Sequence, residues 1–401
     1  MKIYWKVCFA SLLLFAFLIP ALAQDIEERV ETLEMRMKEP PQYIKSYEGD
    51  KIKIGGELEF EFVKTQDDEA FPADDPIGRF QVDKLRLEAK VKARDDIEFK
   101  LKLDFEIEGV ELDEGYLTIE DIVPFDQEIS LGLQDRFISD SIERLTEGSP
   151  MARTAFYRYP DLGIQYKGKY ESVYWCASVT NGLVLGKKDI GEDKSKDVPK
   201  EPGIRRRDTI IRDNTPDPEE KTPNVNKQVG IGLGIAPNLG DLGFLDVLVF
   251  GYFSKLCDDD LEALSKLPDA PEDNDDRTQL RFGANLAYTK DALEVYSQYV
   301  KAEDSFLLRH CWFVQASYKL DLDLRYLKAI QPLVRYGEYR TNQTLTDNKP
   351  LTWDRKRCTI ALLNHIEERV ILKLEYAIND EETGGEKPKN NEFLAQLEYE
   401  F

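Results

Sequence analysis

An all-β transmembrane antiparallel β-barrel of sixteen strands, preceded by a short N-terminal helical stub, is the fold class that this sequence predicts. Three observations predict it. Runs of alternating apolar and charged residues keep their phase for about eleven positions, the length a tilted strand needs to cross a bilayer. An apolar segment with basic residues ahead of it stands at the start of the chain. The candidate strands come to an even number, with connections that are by turns short and long.

The chain of 401 residues carries 54 Lys and Arg against 77 Asp and Glu, a net charge of -23. Nucleic acid is excluded as a partner by that balance, because phosphates need a segregated basic face and none is visible. At the start, Lys2 and Lys6 precede an apolar run from Val7 to Ile19, and Ala21-Leu22-Ala23 supplies a small-x-small cleavage site. Residues 1–23 therefore read as a secretory signal peptide; a membrane-anchoring helix would need a longer run, of about 20 residues. Residues 24–47 form the stub: Ile26, Val30, Leu33 and Met37 fall on a coiled-coil stripe that Pro40-Pro41 ends. Such a short stripe suits a stub where several chains meet, or a helix lying on the rest of the molecule.

Residues 48–401 make up the barrel. From Lys51 the period becomes two: Ile52, Ile54, Gly56, Leu58, Phe60 and Phe62 alternate with Lys53, Gly55, Glu57, Glu59 and Glu61. In KLRLEAKVKAR, Leu85, Leu87, Ala89, Val91 and Ala93 oppose Arg86, Glu88, Lys90, Lys92 and Arg94. In IEFKLKLDFEIE, Ile97, Phe99, Leu101, Leu103, Phe105 and Ile107 share a face. Full charges on the second face suit a water-filled lumen and would be costly inside a sandwich. The sixteen candidates lie near 51–64, 81–94, 96–108, 112–122, 126–136, 160–169, 171–181, 226–237, 242–253, 277–289, 291–301, 308–319, 331–340, 353–364, 367–379 and 391–401.

Short turns are expected at Asp95-Asp96, 123–125, 168–170, 237–240, Lys290 and His365-Ile366, on the periplasmic side. Longer loops, 65–80, 137–159, 182–225, 254–276, 341–352 and 380–390, fall on the other side, where 109–111 and 302–307 are short exceptions. LDLDLRYLKAI at 320–330 looks like a strand, yet counting it as a spanning one breaks the parity of every later loop. It is placed as a hairpin extension. The final NEFLAQLEYEF alternates to its last residue, as a strand must if it pairs with the first; an open edge in lipid would leave backbone groups unsatisfied at several kcal/mol apiece.

Several segments resemble the phosphate-selective porins O and P of Gram-negative outer membranes. They are FQVDKLRLEAKVKARDDIEFKLKLDFE, LDEGYLTIED and ISLGLQDRFISDSIERLTEGSPMARTAF, with Glu143-Arg144-Leu145-Thr146, Met151 and Arg153 the most diagnostic. RTQLRFGANLAYTKDALEVYSQYV, CWFVQASYKL and NEFLAQLEYEF are similar to the family's later hairpins and terminal strand. The resemblance implies a sixteen-stranded, commonly trimeric channel in the outer membrane, and a Phe401 read by the barrel assembly machinery. It implies as partners the lipid bilayer and lipopolysaccharide, small polar or charged solutes such as phosphate, and two further copies of the chain. It also implies that loop 137–159 folds inward, bringing Arg136, Arg144, Arg153 and Arg158 to a constriction.

The charge pattern qualifies the anion reading. Arg86, Lys90 and Arg94 share a strand with Glu88, while Lys100 and Lys102 share the next with Glu98, Asp104 and Glu106, and mixed signs do not make a simple anion well. The candidate pore-lining residues are Arg86, Lys90, Lys100, Lys102, Asp104, Arg136, Arg144 and Arg153. DDDLEA at 258–263 and PEDNDD at 271–276 match no ordered calcium loop and read as solvated. Two histidines, His310 and His365, build no His-based metal cluster, and the cysteines at 176, 257, 311 and 358 lack a CxxC pair. Cys176, Cys311 and Cys358 lie inside apolar strand patterns; a disulfide within the set stays open. GIGLGIAPNLG lacks the helix that a dinucleotide site needs. The expectation is a non-enzymatic diffusion channel without a cofactor, with an occluded structural or adhesive barrel and a soluble periplasmic all-β protein as the rivals.

Overall fold

The computed structural model describes residues 52–66, 78–106, 109–121, 126–140, 142, 145–146, 160–182, 226–265, 267, 269–322, 324–344, 354–382, 387 and 389–401. The expected leader and stub lie outside these residues, as do Arg144, Arg153 and Arg158.

Every element of the sheet follows from the period of two. The strands are β1 (Ile52–Thr65), β2 (Arg79–Arg94), β3 (Ile97–Glu106), β4 (Gly109–Glu120), β5 (Asp126–Gln134), β6 (Asp161–Tyr170), β7 (Val173–Thr180), β8 (Gln228–Ile235), β9 (Phe244–Lys255), β10 (Thr278–Lys290), β11 (Leu293–Asp304), β12 (Leu307–Tyr318), β13 (Leu320–Asp321), β14 (Ala329–Thr341), β15 (Asp354–Glu367), β16 (Val370–Glu382) and β17 (Glu392–Glu400). All pair antiparallel with their neighbours, and β1 pairs with β17, so the sheet closes into a barrel of sixteen long strands. Among the described residues no helix is long and apolar enough to cross a membrane, and the spanning elements are strands.

Two-residue β13 is the remnant of the 320–330 segment. Leu320 and Asp321 pair with Ile330 and Ala329, and Leu322 N–H donates to Lys328 C=O at 2.6 Å, extending the β12–β14 hairpin without adding a spanning strand. Three turns sit later than expected. β6 and β7 reverse at 171–172, β10 and β11 at 291–292, and β15 and β16 at 368–369, because ladder pairing continues to Tyr170↔Val173, Lys290↔Leu293 and Glu367↔Val370. Glu171 and Asp291 supply the left-handed backbone these reversals use, with φ of 52° and 51°. At the 95–96 turn Arg94 pairs with Asp96 and holds that carboxyl below its ordinary pKa.

The outward face is apolar. Phe60, Phe80, Val82, Leu85, Phe99, Phe105, Val110 and Leu112 are exposed on one side of the barrel, and Val249, Phe253, Phe282, Val314, Val334 and Ile360 on the other. Leu101 and Leu103 share the outward register of Phe99 and Phe105, opposite Ala89 and Leu87. Polar side chains point inward instead: Glu59, Glu61, Gln165, Gln298, Arg309, Gln315, Arg335, Arg355 and Gln396 are all buried. That inversion of the usual globular pattern is the arrangement of a barrel with lipid outside and water within.

At the long-loop end a short helix (Asp258–Leu264) folds the 256–277 connection over the β11–β12 turn. Leu256, Leu264, Leu267 and Leu307 form a small core there, with Leu261 and Phe306 against it. Part of the acidic DDDLEA stretch is therefore ordered, and Asp260 accepts the Cys257 N–H at 3.2 Å.

Candidate functional site

Inward residues of the barrel wall fall into two chemically different halves. On β1 to β4 the lumen face is a mesh of ion pairs. Arg86 binds Asp104 through two nitrogens at 2.5 and 2.6 Å and Asp113 at 2.9 Å. Lys102 reaches Glu114 at 2.6 Å and Asp113 at 3.5 Å, and Lys100 reaches Glu114 at 3.0 Å and Glu88 at 3.6 Å. Lys90 lies 3.6 Å from Glu88, and Lys84 joins Glu57 and Glu59 at 3.0 and 3.2 Å.

Two bulges make this mesh possible. Lys102 pairs with Glu114 but Leu103 pairs with Leu112, so Asp113 is an extra residue in β4 and both adjacent carboxylates face the lumen cations. A second bulge inserts Asp83 into β2 between the Glu59↔Lys84 and Phe60↔Val82 pairs. Glu57 and Glu59 lie on the charged face that the alternation of β1 gives to the lumen, whereas Asp113 and Glu114 were not among the residues expected to line the pore. Their signal lies in parity: the outward apolar positions run Phe80, Val82 and then Leu85, Leu87, and again Val110, Leu112 and then Leu117, Ile119.

Against the opposite half pack the described residues that follow β5. A 3-10 turn (Phe137–Ser139) begins their inward path. Phe137 and Ile138 pack among Cys176, Leu248, Phe250, Tyr252, Ala287, Tyr296, Val300, Cys311, Phe313 and Tyr339, all inward side chains of β7 to β14, with Ile142 and Leu145 alongside. Leu145 also touches the Leu333, Ala361 and Leu363 cluster on β14 and β15. Polar clamps fix the segment as well. Asn285 donates to the carbonyls of Ile138 and Asp140 at 3.0 and 2.8 Å, Gln298 donates to Ile138 at 2.7 Å, Lys167 pairs with Asp140 at 2.8 Å, and Arg335 donates to Thr146 Oγ1 at 2.7 Å.

Room for this packing comes from β8, where every inward position after Gln228 is glycine. A Cβ on Gly232 would stand 3.1 Å from the Phe137 ring, one on Gly230 2.6 Å from Tyr252, and one on Gly234 2.1 Å from Tyr174. The glycine-rich GIGLGI stretch thus serves close aromatic approach in the lumen rather than any nucleotide.

Arg136 stands apart from the other expected residues. It is 4% exposed, pairs with Asp161 at 2.6 Å and donates to Gln228 at 3.0 Å, so it ties the start of the inward segment to β6 and β8. Arg86, Lys90, Lys100, Lys102 and Asp104 lie together on the β2–β3 wall as the alternation predicts. Toward the long-loop end, Arg281 and Arg309 share Asp304 at 3.1 and 2.6 Å, and Arg355 lies 3.1 Å from Glu381. Solvent access separates these groups: side chains of the Arg86–Asp104–Asp113 set and Lys102 are 17–26% accessible, those of the Arg281–Asp304–Arg309 triad 0–3%. The four described cysteines form no disulfide; Cys176 and Cys311 are buried in the apolar cluster.

No protein-family model matches the chain, and no curated protein matches it. Solved structures do. The high-pH structure of Pseudomonas putida OprB is similar at 9% identity and a TM-score of 0.61, over 88% of this chain and 94% of that one. The outer membrane channel DcaP of Acinetobacter baumannii is similar at 12% identity and a TM-score of 0.53, over 87% and 97%. The in-vitro folded trimer form of the outer membrane protein OmpT of Vibrio cholerae is similar at 13% identity and a TM-score of 0.51, over 87% and 99%. What this chain shares with them is the fold of an outer-membrane β-barrel.

Proposed function

We propose that the chain is an outer-membrane porin of a Gram-negative cell, a passive diffusion channel for small polar or charged solutes. The observation that carries this reading is the division of the lumen: a buried apolar cluster holds the start of the segment after β5 against β7 to β14, while partly accessible ion pairs line β1 to β4. Water and solute pass along the charged wall. Its alternating charges exchange transiently with a solute's hydration shell, and because each is already paired the wall binds weakly enough to release what it takes up. On the β1–β4 wall Arg86, Lys100 and Lys102 all face carboxylates, so this wall favours small solutes of either sign. Phosphate preference and membership of the phosphate-selective O and P family rest on the likeness of the 80–106 and 129–156 segments, and the preference would be supplied by Arg144 and Arg153.

Single-channel recording in planar bilayers tests the proposal. Stepwise open current with weak ion selectivity is expected; folded protein that inserts without conducting favours the occluded structural barrel, a reading supported by the size of the apolar cluster in the lumen. Trimeric assembly is part of the proposal, supported by the trimer form of the similar OmpT, and cross-linking in detergent checks it.

A further inference from the structure

The ion-pair mesh on β2 to β4 is balanced in charge. Arg86, Lys90, Lys100 and Lys102 are joined there to Glu88, Asp104, Asp113 and Glu114, four cations to four carboxylates, while Glu57 and Glu59 of β1 have Lys84 as their own cation. An extra residue completes the balance. The β4 bulge turns Asp113 inward beside Glu114, so two carboxylates stand where a regular strand presents one.

Contacts within the mesh are unequal. Lys102 holds Glu114 at 2.6 Å, and Arg86 holds Asp104 at 2.5 and 2.6 Å and Asp113 at 2.9 Å. Lys102 and Asp113, in contrast, stand 3.5 Å apart, longer than a normal hydrogen bond. Each of the two has its tighter partner elsewhere, and their side chains are 17% and 20% accessible. This link opens without leaving either charge unpaired.

The balance decides what opens it. An anion set on Lys102 adds a negative charge beside Asp113 and Glu114, and a cation set on Asp113 adds a positive one beside Lys102 and Arg86, so each gains one contact and meets like charge next to it. A molecule carrying both signs avoids this. Its anionic end takes the Lys102 ammonium, its own ammonium takes Asp113, and the net charge of the mesh is unchanged.

We infer that the gap between Lys102 and Asp113 is a weak subsite for zwitterionic solutes, molecules that carry an ammonium and a carboxylate or sulfonate a few bonds apart, the class of free amino acids and short peptides. The inference rests on the reading of the chain as a diffusion channel and names the solutes that this channel passes best. Each contact is worth no more than a part-exposed ion pair, so the subsite concentrates its solute and still releases it.

The test uses the full chain in liposomes and three labelled probes built on one two-carbon frame. Taurine carries an ammonium and a sulfonate, isethionate a sulfonate and a hydroxyl, and ethanolammonium, kept charged by mildly acidic buffer, an ammonium and a hydroxyl. Uptake at low salt is corrected with protein-free liposomes, and potassium chloride conductance is recorded on the same preparation in planar bilayers. Taurine is expected to enter native protein about two- to fivefold faster than either singly charged probe, the worth of one part-exposed ion pair, and the excess should saturate as taurine concentration rises. Lys102→Met with Asp113→Asn removes both ends of the gap at unchanged net charge and should abolish the excess; Arg94→Gln with Asp96→Asn, a neutral change at the β2–β3 turn, should keep it. Native protein that conducts potassium chloride but takes up taurine no faster than the other two probes overturns the inference and leaves the channel reading standing. Loss of the chloride conductance as well takes both away. An undiminished excess in the Lys102 and Asp113 double variant also overturns the subsite, and because the comparison of probes on native protein needs no variant, poor folding of that variant does not shield it.

Discussion

Arg335 on β14 donates to Thr146 Oγ1 at 2.7 Å and to Gln315 Oε1 at 3.0 Å, joining residues 189 positions apart in the chain across the interior of the barrel. This bond places the inward segment against the far wall at a point beyond the reach of the clamps near β6, β10 and β11. Losing it frees the distal part of the segment while Asn285 and Gln298 still hold Ile138. Arg335→Ala is expected to raise open-channel noise and mean conductance. Removal of a buried charged hydrogen bond costs about 1.5–3 kcal/mol, small against a closed barrel, so the variant folds. Unchanged noise and conductance in bilayer recordings would count against a constricting role for Thr146.

Gly232 gives a complementary perturbation from the wall side. Its Cβ position is 3.1 Å from Phe137 and 3.2 Å from Leu248, so Gly232→Val drives side-chain methyls into the Phe137 ring. Overpacking of this kind costs typically 1–3 kcal/mol. The segment should shift toward the charged wall and narrow the path, lowering single-channel conductance; hydrogen exchange at Phe137 and Ile138 should quicken. A conductance equal to the native value would show that Phe137 does not set the passage.

Much of the barrel was legible because lipid and water sort side chains at every second position, so Ile97, Phe99, Leu101 and Leu103 announce their own face. The bulges were legible in principle and overlooked: Leu112 and Leu117 cannot share a face without an extra residue between them, and Asp113-Glu114 is where it falls. Turn positions were off by one to three residues because pairing runs on through polar residues such as Lys169 and Glu367, which look like turn material. Nothing local to Arg136 reveals Asp161 and Gln228, its partners across the fold. The alternating glycines of β8 gain their meaning only once Tyr174, Tyr252 and Phe137 are seen to occupy the space they leave.

Closure of the barrel depends on a small residue facing a large one. Phe401 and Gly56 exchange two backbone hydrogen bonds of 2.9 Å, and a Cβ on Gly56 would fall 2.5 Å from the terminal phenylalanine ring. A Cβ there also falls 2.3 Å from the Arg86 carbonyl oxygen of β2, so Gly56→Val displaces both the ring and the ladder on a lipid-facing face, where unsatisfied backbone groups cost several kcal/mol each. Slower recovery of heat-resistant barrel during refolding is expected, with Gly56→Ala milder than Gly56→Val. Equal refolding rates for all three proteins would show that the ring has no seat at Gly56.

Neighbouring residues on one strand should respond oppositely to the same charge. Val314 of β12 faces outward and is 43% exposed, whereas Gln315 faces the lumen beside Arg335. Val314→Arg places a cation on the lipid face, at a cost of about 2–4 kcal/mol near the bilayer midplane, and lowers the denaturant midpoint accordingly. Gln315→Glu adds a lumen anion beside a guanidinium and should leave that midpoint close to native. A Val314→Arg protein as stable as the native chain would place that face in water.

Selectivity follows from the wall of β2 to β4. Lys100 and Lys102 share Glu114, and Asp113 is held by Lys102 and Arg86, so the paired charges nearly cancel at the level of the water path. Replacing both lysines with glutamate leaves Asp104, Asp113, Glu114 and Glu88 facing two further anions, with Arg86 and Lys90 the remaining cations of that set. Reversal-potential measurements in a salt gradient should then move clearly toward cation selectivity, and the effect should fade at about 1 M salt, where the screening length falls to ~3 Å. Glu114→Gln, which leaves Lys100 and Lys102 in excess, should move the potential the other way. If neither substitution shifts it, solute does not travel along this wall.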